Sequence, residues 1–189
     1  MKKLLLAAAI MISSVAANAQ NEVGQISIAP TVGINLSNLT KVDNSKMKFG
    51  IAAGAVAEYG VAEQFGVSFG LLYSQQGCKI KDDGEKWNMK LDYLNMPIMA
   101  QYYVVDGLAI KAGIQPGFLL SAKKDGEKVK KYCNKFDFAI PVGLSYEISN
   151  LVIDARYNIG LTKTFKKDYS DKKCNNSVFQ FTLGYKFKI

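Results

Sequence analysis

Six charged residues carry the most plausible chemistry of this chain, because three acids and three bases share one face of its predicted strands. They are Glu58, Lys111, Glu147, Asp154, Arg156 and Lys186. Buried charges persist when they are paired, since an isolated charge carries a large desolvation cost. We therefore predict a salt-bridge network that plugs the interior of the fold. Arg156 is its expected hub, because a planar guanidinium can bind a carboxylate through two hydrogen bonds. A path for protons or ions through the same residues is the alternative.

Catalytic residues are not predicted. Glu147 and Asp154 could act as paired carboxylates, but a structural role is favoured for both. The chain contains no histidine, so a nucleophile activated by an imidazole base is excluded. The glycines alternate along predicted strands and form no phosphate-binding loop. No spacing of residues indicates a metal site, and we expect no cofactor.

A two-residue period in hydrophobicity indicates the elements that position these charges. Apolar residues occupy alternate positions in 25–37 and again in 177–189, and six further segments share the pattern. Successive side chains of a strand point to opposite faces, so this period predicts β-structure. The predicted strands are 25–38, 48–60, 65–79, 89–103, 108–121, 135–148, 151–163 and 177–189.

The predicted connections alternate in length. Those after the second, fourth and sixth strands are tight, whereas those after the first, third, fifth and seventh are longer and charged. An even number of strands with one end of tight turns and one of long loops is typical of an outer-membrane β-barrel. The long loops would then lie outside the cell and the tight turns in the periplasm.

The two faces of the predicted strands differ in size as well as polarity. One face carries large apolar residues such as Phe69, Ile98 and Ile153, with tyrosines mostly toward the strand ends. The other face is rich in glycine and small polar residues, which suits the narrow interior of an eight-stranded barrel. We therefore predict that the large apolar face contacts lipid, with aromatic residues at its borders. A soluble ligand-binding barrel, with that face inside, is the alternative.

The first nineteen residues have the pattern of a secretory signal peptide. Lys2 and Lys3 precede an apolar run from 4 to 12, and Ala17-Asn18-Ala19 fits a cleavage site. We predict a signal peptide over 1–19 and one barrel domain over 20–189. An uncleaved anchor is the alternative, although the apolar run is shorter than the roughly 20 residues that span a bilayer.

Cysteines and lysines concentrate at the predicted cell-surface end. Cys133 and Cys174 are the preferred disulfide pair among the three cysteines, because they begin strands six and eight at the same end, and free thiols are the alternative. The loops are lysine-rich, and we predict contact with outer-membrane lipid and with anionic lipopolysaccharide phosphates. A merely solvated loop surface is the alternative, and no nucleic acid partner is expected. Trp87 is either an interface anchor or part of a binding surface.

Three segments give the chain a resemblance to the PorT-like group of small outer-membrane β-barrel proteins. Leu91-Asp92-Tyr93-Leu94-Asn95-Met96-Pro97-Ile98 resembles that family's Tyr-Leu-Glu-Ile-Pro-Leu strand, and 113–123 and 156–162 are similar to other family segments. The resemblance implies an eight-stranded barrel, distantly similar to the OmpA and OmpX types, and an association with protein secretion. Asn95 and Gln101 stand where the family often has glutamate and lysine.

Together these patterns predict an all-β protein, an eight-stranded antiparallel transmembrane β-barrel with up-and-down topology in the bacterial outer membrane. We expect it to be non-enzymatic, with a structural or surface-interaction role and a largely plugged polar lumen. A component of a secretion or transport machine, with protein partners, is the alternative. A small passive pore ranks third, and a lipid-modifying enzyme last.

Overall fold

The computed structural model describes residues 23–40, 45–82, 85–166 and 174–189, so the predicted signal peptide lies outside the described residues. The strands are β1 Ile26–Leu39, β2 Ser45–Ala62, β3 Phe65–Asp82, β4 Glu85–Asn95, β5 Ile98–Val105, β6 Leu108–Lys124, β7 Glu127–Lys128, β8 Phe136–Ile148, β9 Leu151–Lys163, β10 Asn175–Tyr185 and β11 Phe187–Lys188. One short 3₁₀ helix spans Lys130–Tyr132.

The strands form a closed antiparallel ring with eight positions. β4 and β5 together fill one position, since both pair with β3 on one side and β6 on the other. β10 and β11 fill the last position and pair with β1, which closes the ring. The short β7 only extends the hairpin that begins with β6. The predicted eight-stranded up-and-down barrel is therefore confirmed.

Polarity is inverted relative to a soluble protein. Phe69 is 50% exposed and Leu144 51%, whereas Gln101 and Gln180 are each 1% exposed inside the ring. The large apolar face therefore points outward and the small polar face inward, as predicted. Among the described residues, no helix is long and apolar enough to cross a membrane.

The strand predicted as 89–103 is interrupted at its centre by Pro97. Proline has no backbone N–H and cannot donate to the ladder. The neighbouring groups still pair, because Gly70 N donates to Pro97 O at 2.8 Å and Met96 N donates to Pro116 O at 2.8 Å. A Cβ on Gly70 would lie 2.8 Å from Pro97 Cγ, so the absence of a side chain at Gly70 makes room for the proline ring.

The tight turns at the periplasmic end fix the register of the strands that follow them. Ser149 and Asn150 form a two-residue hairpin in which Ser149 has a φ of 54°. The hairpin sets Ser145 opposite Asp154 and Gly143 opposite Arg156. This register is the one that the sequence predicts.

The strands extend farther at the cell-surface end than the sequence indicates. The second long connection, expected between 79 and 89, is mostly an extension of β3 and β4, which pair as far as Asp82 and Glu85. The third connection turns tightly at Asp125-Gly126, with φ angles of 50° and 95°, then returns through the 3₁₀ helix. The two-residue period in hydrophobicity fades in these extensions of β3 and β4, because 80–82 and 85–88 are mostly charged residues.

Substitution of Gly143 should destabilise the barrel, because a Cβ there would lie 2.4 Å from Ala155 O and 2.7 Å from Arg156 Cα. We expect Gly143→Leu to lower the free energy of unfolding by about 1–3 kcal/mol or to prevent refolding. Urea titration of the refolded protein, read by heat-dependent gel mobility, measures this change. Val142→Leu on the adjacent lipid-facing position is the control and should behave as wild type. Equal stability of the two variants would contradict this packing.

Candidate functional site: the filled lumen

Lys186 lies at the centre of a charged layer near the periplasmic end of the lumen. Its Nζ is 3.1 Å from Glu58 Oε2 and 2.5 Å from Glu147 Oε1. The three side chains come from β2, β8 and the segment between β10 and β11, so they meet only because the ring closes. Each is less than a tenth exposed. One ammonium group therefore neutralises carboxylates from opposite parts of the ring.

Tyr103 joins the same two carboxylates and is a site residue that the sequence analysis missed. Its hydroxyl lies 2.8 Å from Glu58 Oε1 and 2.7 Å from Glu147 Oε1. A hydroxyl has one proton, so it can donate fully to only one of these oxygens at a time. The inward alternation Met99, Gln101, Tyr103 on β5 was the available signal. The sequence pattern instead predicts tyrosines at the membrane borders.

Asp154 organises the second half of the charged layer. Its Oδ1 is 2.8 Å from Arg156 Nε and its Oδ2 is 3.2 Å from Lys111 Nζ. Gly143 stands opposite both Lys111 and Arg156 in the sheet, and its missing side chain leaves room for both. Arg156 also donates from Nη1 to Met99 Sδ at 3.6 Å.

The six predicted charges are thus together, but their hub differs from the prediction. Arg156 pairs with one carboxylate, whereas Lys186 pairs with two. The reason is geometric. Arg156 and Asp154 lie two residues apart on one face of β9, so the guanidinium pairs with the carboxylate of its own strand. Lys186 projects from the last strand and reaches two separate acids.

The space left in the charged layer is small. A cavity of about 30 Å³ lies between Glu58, Lys111, Asp154, Arg156 and Lys186. A water needs at least 10–15 Å³ of such volume, so the cavity holds about two waters. It contains no room for a hydrated ion to pass without displacing paired side chains.

Amide side chains fill the middle of the lumen. Asn158 Nδ2 donates to Gln180 Oε1 at 3.3 Å, and Asn35 Nδ2 donates to Ser74 Oγ at 2.9 Å. Gln101 Nε2 donates to Tyr103 Oη at 3.3 Å, which connects this layer to the charged one. Asn95 and Gln101, where the PorT-like group often has charges, are both buried in this layer at 1% exposure.

An apolar cluster closes the cell-surface end of the lumen. Its buried members are Leu39, Cys78, Met89, Leu91, Tyr93, Leu119, Ala122 and Cys133. Val129 and Phe165, from the connections outside the main strands, pack against it. We call this set the apolar cap. The apolar cap was not predicted from the sequence, although the apolar residues at the inward positions 89 and 91 depart from the polar pattern of the inward positions nearer the periplasm.

The structure separates Cys133 and Cys174, the preferred disulfide pair, which are both buried and are not bonded to each other. Asn134 N donates to Thr164 O, and Thr164 N donates to Cys174 O, so the 164–165 segment runs between the two cysteines. Two strand spacings of about 4.8 Å exceed the roughly 7 Å Cα separation that a disulfide tolerates. Burial in the apolar cap raises the pKa of the Cys133 thiol to about 11.

Lysines and aromatic rings surround the cell-surface end. Lys124 Nζ lies 3.3 Å from the centroid of the Trp87 ring, and Lys131 Nζ lies 4.8 Å from that of Tyr132. Trp87 belongs to β4 rather than to a loop. Lys130 Nζ donates to Leu120 O at 2.8 Å. The predicted lysines 167, 172 and 173 of the fourth connection lie outside the described residues.

A family comparison identifies this architecture. Residues 18–166 match the model of the outer membrane protein β-barrel domain. The chain belongs to this family. It is therefore a bacterial outer-membrane protein, with its long connections on the cell exterior. This match supports the barrel part of the sequence resemblance and not its PorT-specific part.

Solved structures of outer-membrane barrels share the fold. Ail of Yersinia pestis, crystallised with the heparin analogue sucrose octasulfate, is 19% identical with a TM-score of 0.54, covering 88% of this chain and 100% of that one. Neisserial surface protein A is 13% identical with a TM-score of 0.60, covering 86% and 97%. OprG of Pseudomonas aeruginosa is 13% identical with a TM-score of 0.52, covering 89% and 98%. No curated protein matches the sequence.

Removal of the Lys186 charge should be costly, because it leaves Glu58 and Glu147 facing each other inside the barrel. We expect Lys186→Met to lower the free energy of unfolding by about 3–5 kcal/mol, as for other buried pairs that lose one partner. Urea unfolding in lipid vesicles, followed by tryptophan fluorescence, measures the loss.

Lys188→Met is the matched control, since Lys188 is exposed two residues along the chain. It should change the stability by less than about 0.5 kcal/mol. Adding Glu58→Gln and Glu147→Gln to Lys186→Met should restore part of the stability. A Lys186 variant no weaker than the Lys188 variant would contradict the network.

Proposed function

We propose that this family member is a closed, non-enzymatic protein of the outer membrane that acts through its basic cell-surface end. The observation that carries this proposal is the filling of the lumen over its whole length. A paired charged layer, an amide layer and an apolar cap follow one another from the periplasmic end to the exterior.

The three layers oppose conduction for different physical reasons. In the charged layer an ion has to separate pairs such as Lys186 and Glu58, which leaves buried charges uncompensated. In the apolar cap it has to enter a region that offers few polar groups, at a large desolvation cost. An ion or proton path through the six charges therefore requires the cap to rearrange first.

The charged layer also makes a poor acid–base site. Glu147 contacts Lys186 and Tyr103, whereas Asp154 contacts Lys111 and Arg156. Each carboxylate thus has its own cationic partner. A carboxyl pair for catalysis needs one member that holds a proton and one that does not, with access for a substrate. The small cavity offers no such access.

The exterior end has the properties of an anion-binding surface. Lys124, Lys131 and Lys166 lie at the mouth, and two of them stand over exposed aromatic rings. Clustered lysines attract anionic groups by increments of about 1 kcal/mol each. The Ail structure contains a heparin analogue, which supports a polyanion as the partner of a barrel of this shape.

A role in a secretion or transport machine is the second candidate, and it rests on the resemblance of 91–98 to the PorT-like group. Leu91 and Tyr93 of that segment belong to the apolar cap, and Pro97 forms the strand break. These residues therefore already have a structural role within the barrel. A stable protein that co-purifies with the barrel in mild detergent would favour this candidate.

The closed lumen predicts that the purified barrel does not conduct. In planar bilayers with 1 M KCl, we expect no steady openings over long recordings, because each layer blocks the passage of ions. A sixteen-stranded porin in the same lipid is the positive control. Steady openings of constant amplitude would contradict the proposal and favour the passive pore.

The mouth lysines predict salt-sensitive binding of a soluble polyanion. We expect wild-type protein to bind sucrose octasulfate in calorimetry, with an affinity that falls as salt rises. Lys124→Gln, Lys131→Gln and Lys166→Gln together should weaken binding by about ten- to a hundredfold. Lys188→Gln, at the periplasmic end, is the control and should leave it unchanged. Equal affinity of the triple variant and the wild type would refute this surface.

A further inference from the structure

Lysines stand directly opposite one another on neighbouring strands at the cell-surface end. Lys90 of β4 pairs with Lys123 of β6, and Lys123 pairs in turn with Lys128 of β7. Opposite residues in an antiparallel pair lie about 4.5–5.5 Å apart and point to the same face. We call these three residues the lysine ladder. Lys46 and Lys79, also directly opposed, extend it onto β2 and β3.

The ladder points away from the barrel axis. Leu91 and Ala122, adjacent to Lys90 and Lys123 along their strands, are buried in the apolar cap, and successive side chains alternate between faces. The ladder lysines are correspondingly accessible, since Lys123 and Lys128 are exposed and the Lys90 side chain keeps 41% of its surface. They are thus separate from the mouth lysines, of which Lys124 stands over Trp87.

The ladder lies directly above the lipid-facing surface. Leu120 and Phe118 precede Lys123 on the outward side of β6, and both are 46% exposed. At about 3.3 Å per residue, Lys123 lies roughly 10 Å beyond Leu120 toward the exterior. This height corresponds to the headgroup region that borders the hydrocarbon. Lys130, whose Nζ donates to Leu120 O, adds a cation at the same border.

Within the described part of the chain, the ladder lysines outnumber the acids that contact them. Like charges directly opposite each other in a sheet are destabilising. On this face Lys90 Nζ lies 4.0 Å from Asp92 Oδ1, and the Asp92 carboxylate is itself largely buried. Glu127 is adjacent to Lys128 on β7 and stands opposite Lys124. It therefore points to the face opposite the ladder and does not neutralise the ladder lysines. An external anion would relieve this repulsion.

We propose that the lysine ladder binds the phosphate groups of a phosphorylated glycolipid, of the lipid A type, in the outer leaflet beside the barrel. The lateral direction favours a lipid over a soluble polyanion, because the ladder faces the neighbouring lipids and continues the apolar surface below it. Acyl chains would lie against residues such as Phe118 and Leu120 while phosphates contact the ammonium groups. This assignment rests on the proposed anion-binding function and names a second, lateral site for it.

Two triple variants with the same change of charge test the assignment. The ladder variant carries Lys90→Gln, Lys123→Gln and Lys128→Gln, and the mouth variant carries Lys124→Gln, Lys131→Gln and Lys166→Gln. Each folded protein is titrated in mixed micelles with bisphosphorylated lipid A and with its dephosphorylated form, and bound lipid is counted by native mass spectrometry. Heat-dependent gel mobility verifies that each variant is folded.

We expect the ladder variant to lose at least tenfold in affinity for phosphorylated lipid A, and the mouth variant to lose less than threefold. The dephosphorylated lipid should bind weakly and equally to all proteins. Replacement of the three ladder lysines by arginine keeps the positive charge and should retain binding of phosphorylated lipid A. If the glutamine variant does not fold, loss of binding in the arginine variant would still contradict the assignment. Wild-type affinity of the ladder variant, equal losses in both variants, or indifference to dephosphorylation would each overturn the assignment.

The same proteins separate this inference from the proposed function. Binding of sucrose octasulfate by wild type without binding of lipid A would overturn the lateral site and leave the mouth surface intact. Failure of the wild type to bind either anion would overturn both. Loss of lipid A alone in the ladder variant, with sucrose octasulfate lost alone in the mouth variant, would support both sites.

Discussion

The pairing of β1 with β10 is the interaction on which the rest of the structure depends. Within hydrocarbon there is no water to satisfy backbone N–H and C=O groups, so a sheet that crosses the membrane has to close on itself. Eight positions in the ring give a lumen so narrow that side chains fill it. Closure also brings the last strand beside the first, and this places Lys186, which lies near Glu147 across β9, within reach of Glu58 as well. The link between Glu58 and Lys186 is therefore a product of closure and not of any one hairpin.

The side chains that fill the lumen change from charged to amide to apolar along the barrel axis. This order follows from the partners that are available to the side chains at each level. Near the periplasmic turns, charges balance one another as three acids and three bases. In the centre, where strands oppose residues such as Asn158 and Gln180, neutral amides pair without ionic cost. At the exterior the ring extends beyond the lipid, and an apolar core like that of a soluble protein becomes possible. Tyr93 connects the last two levels, since its ring lies in the cap and its hydroxyl accepts from Asn176 Nδ2 at 3.3 Å.

The sequence predicts the fold well because lipid contact requires an apolar side chain at every second position of each long strand. It also predicts the local register after Ser149-Asn150, since a two-residue hairpin leaves no freedom in pairing. It does not predict contacts between strands that do not pair, such as Tyr103 with Glu58, or contacts across the closing seam, such as Lys186 with Glu58. The separation of Cys133 from Cys174 is likewise not visible in the sequence, since it arises because the chain after β9 continues into 164–165 between them. The cap was missed because Val129 and Phe165 stand in irregular segments that have no period.

The strand break at Pro97 carries a consequence for how sequences of this family can diverge. The proline ring occupies the volume that a side chain on Gly70 would need, and Gly70 N is the donor that Pro97 O accepts. Gly70 therefore cannot gain a side chain while the proline ring stays in place. In an alignment of relatives, the two columns should therefore covary, with larger residues at the position of Gly70 appearing only where the proline has been lost. Such a pair, 27 positions apart in the chain, would serve as an evolutionary marker of the β3–β5 contact.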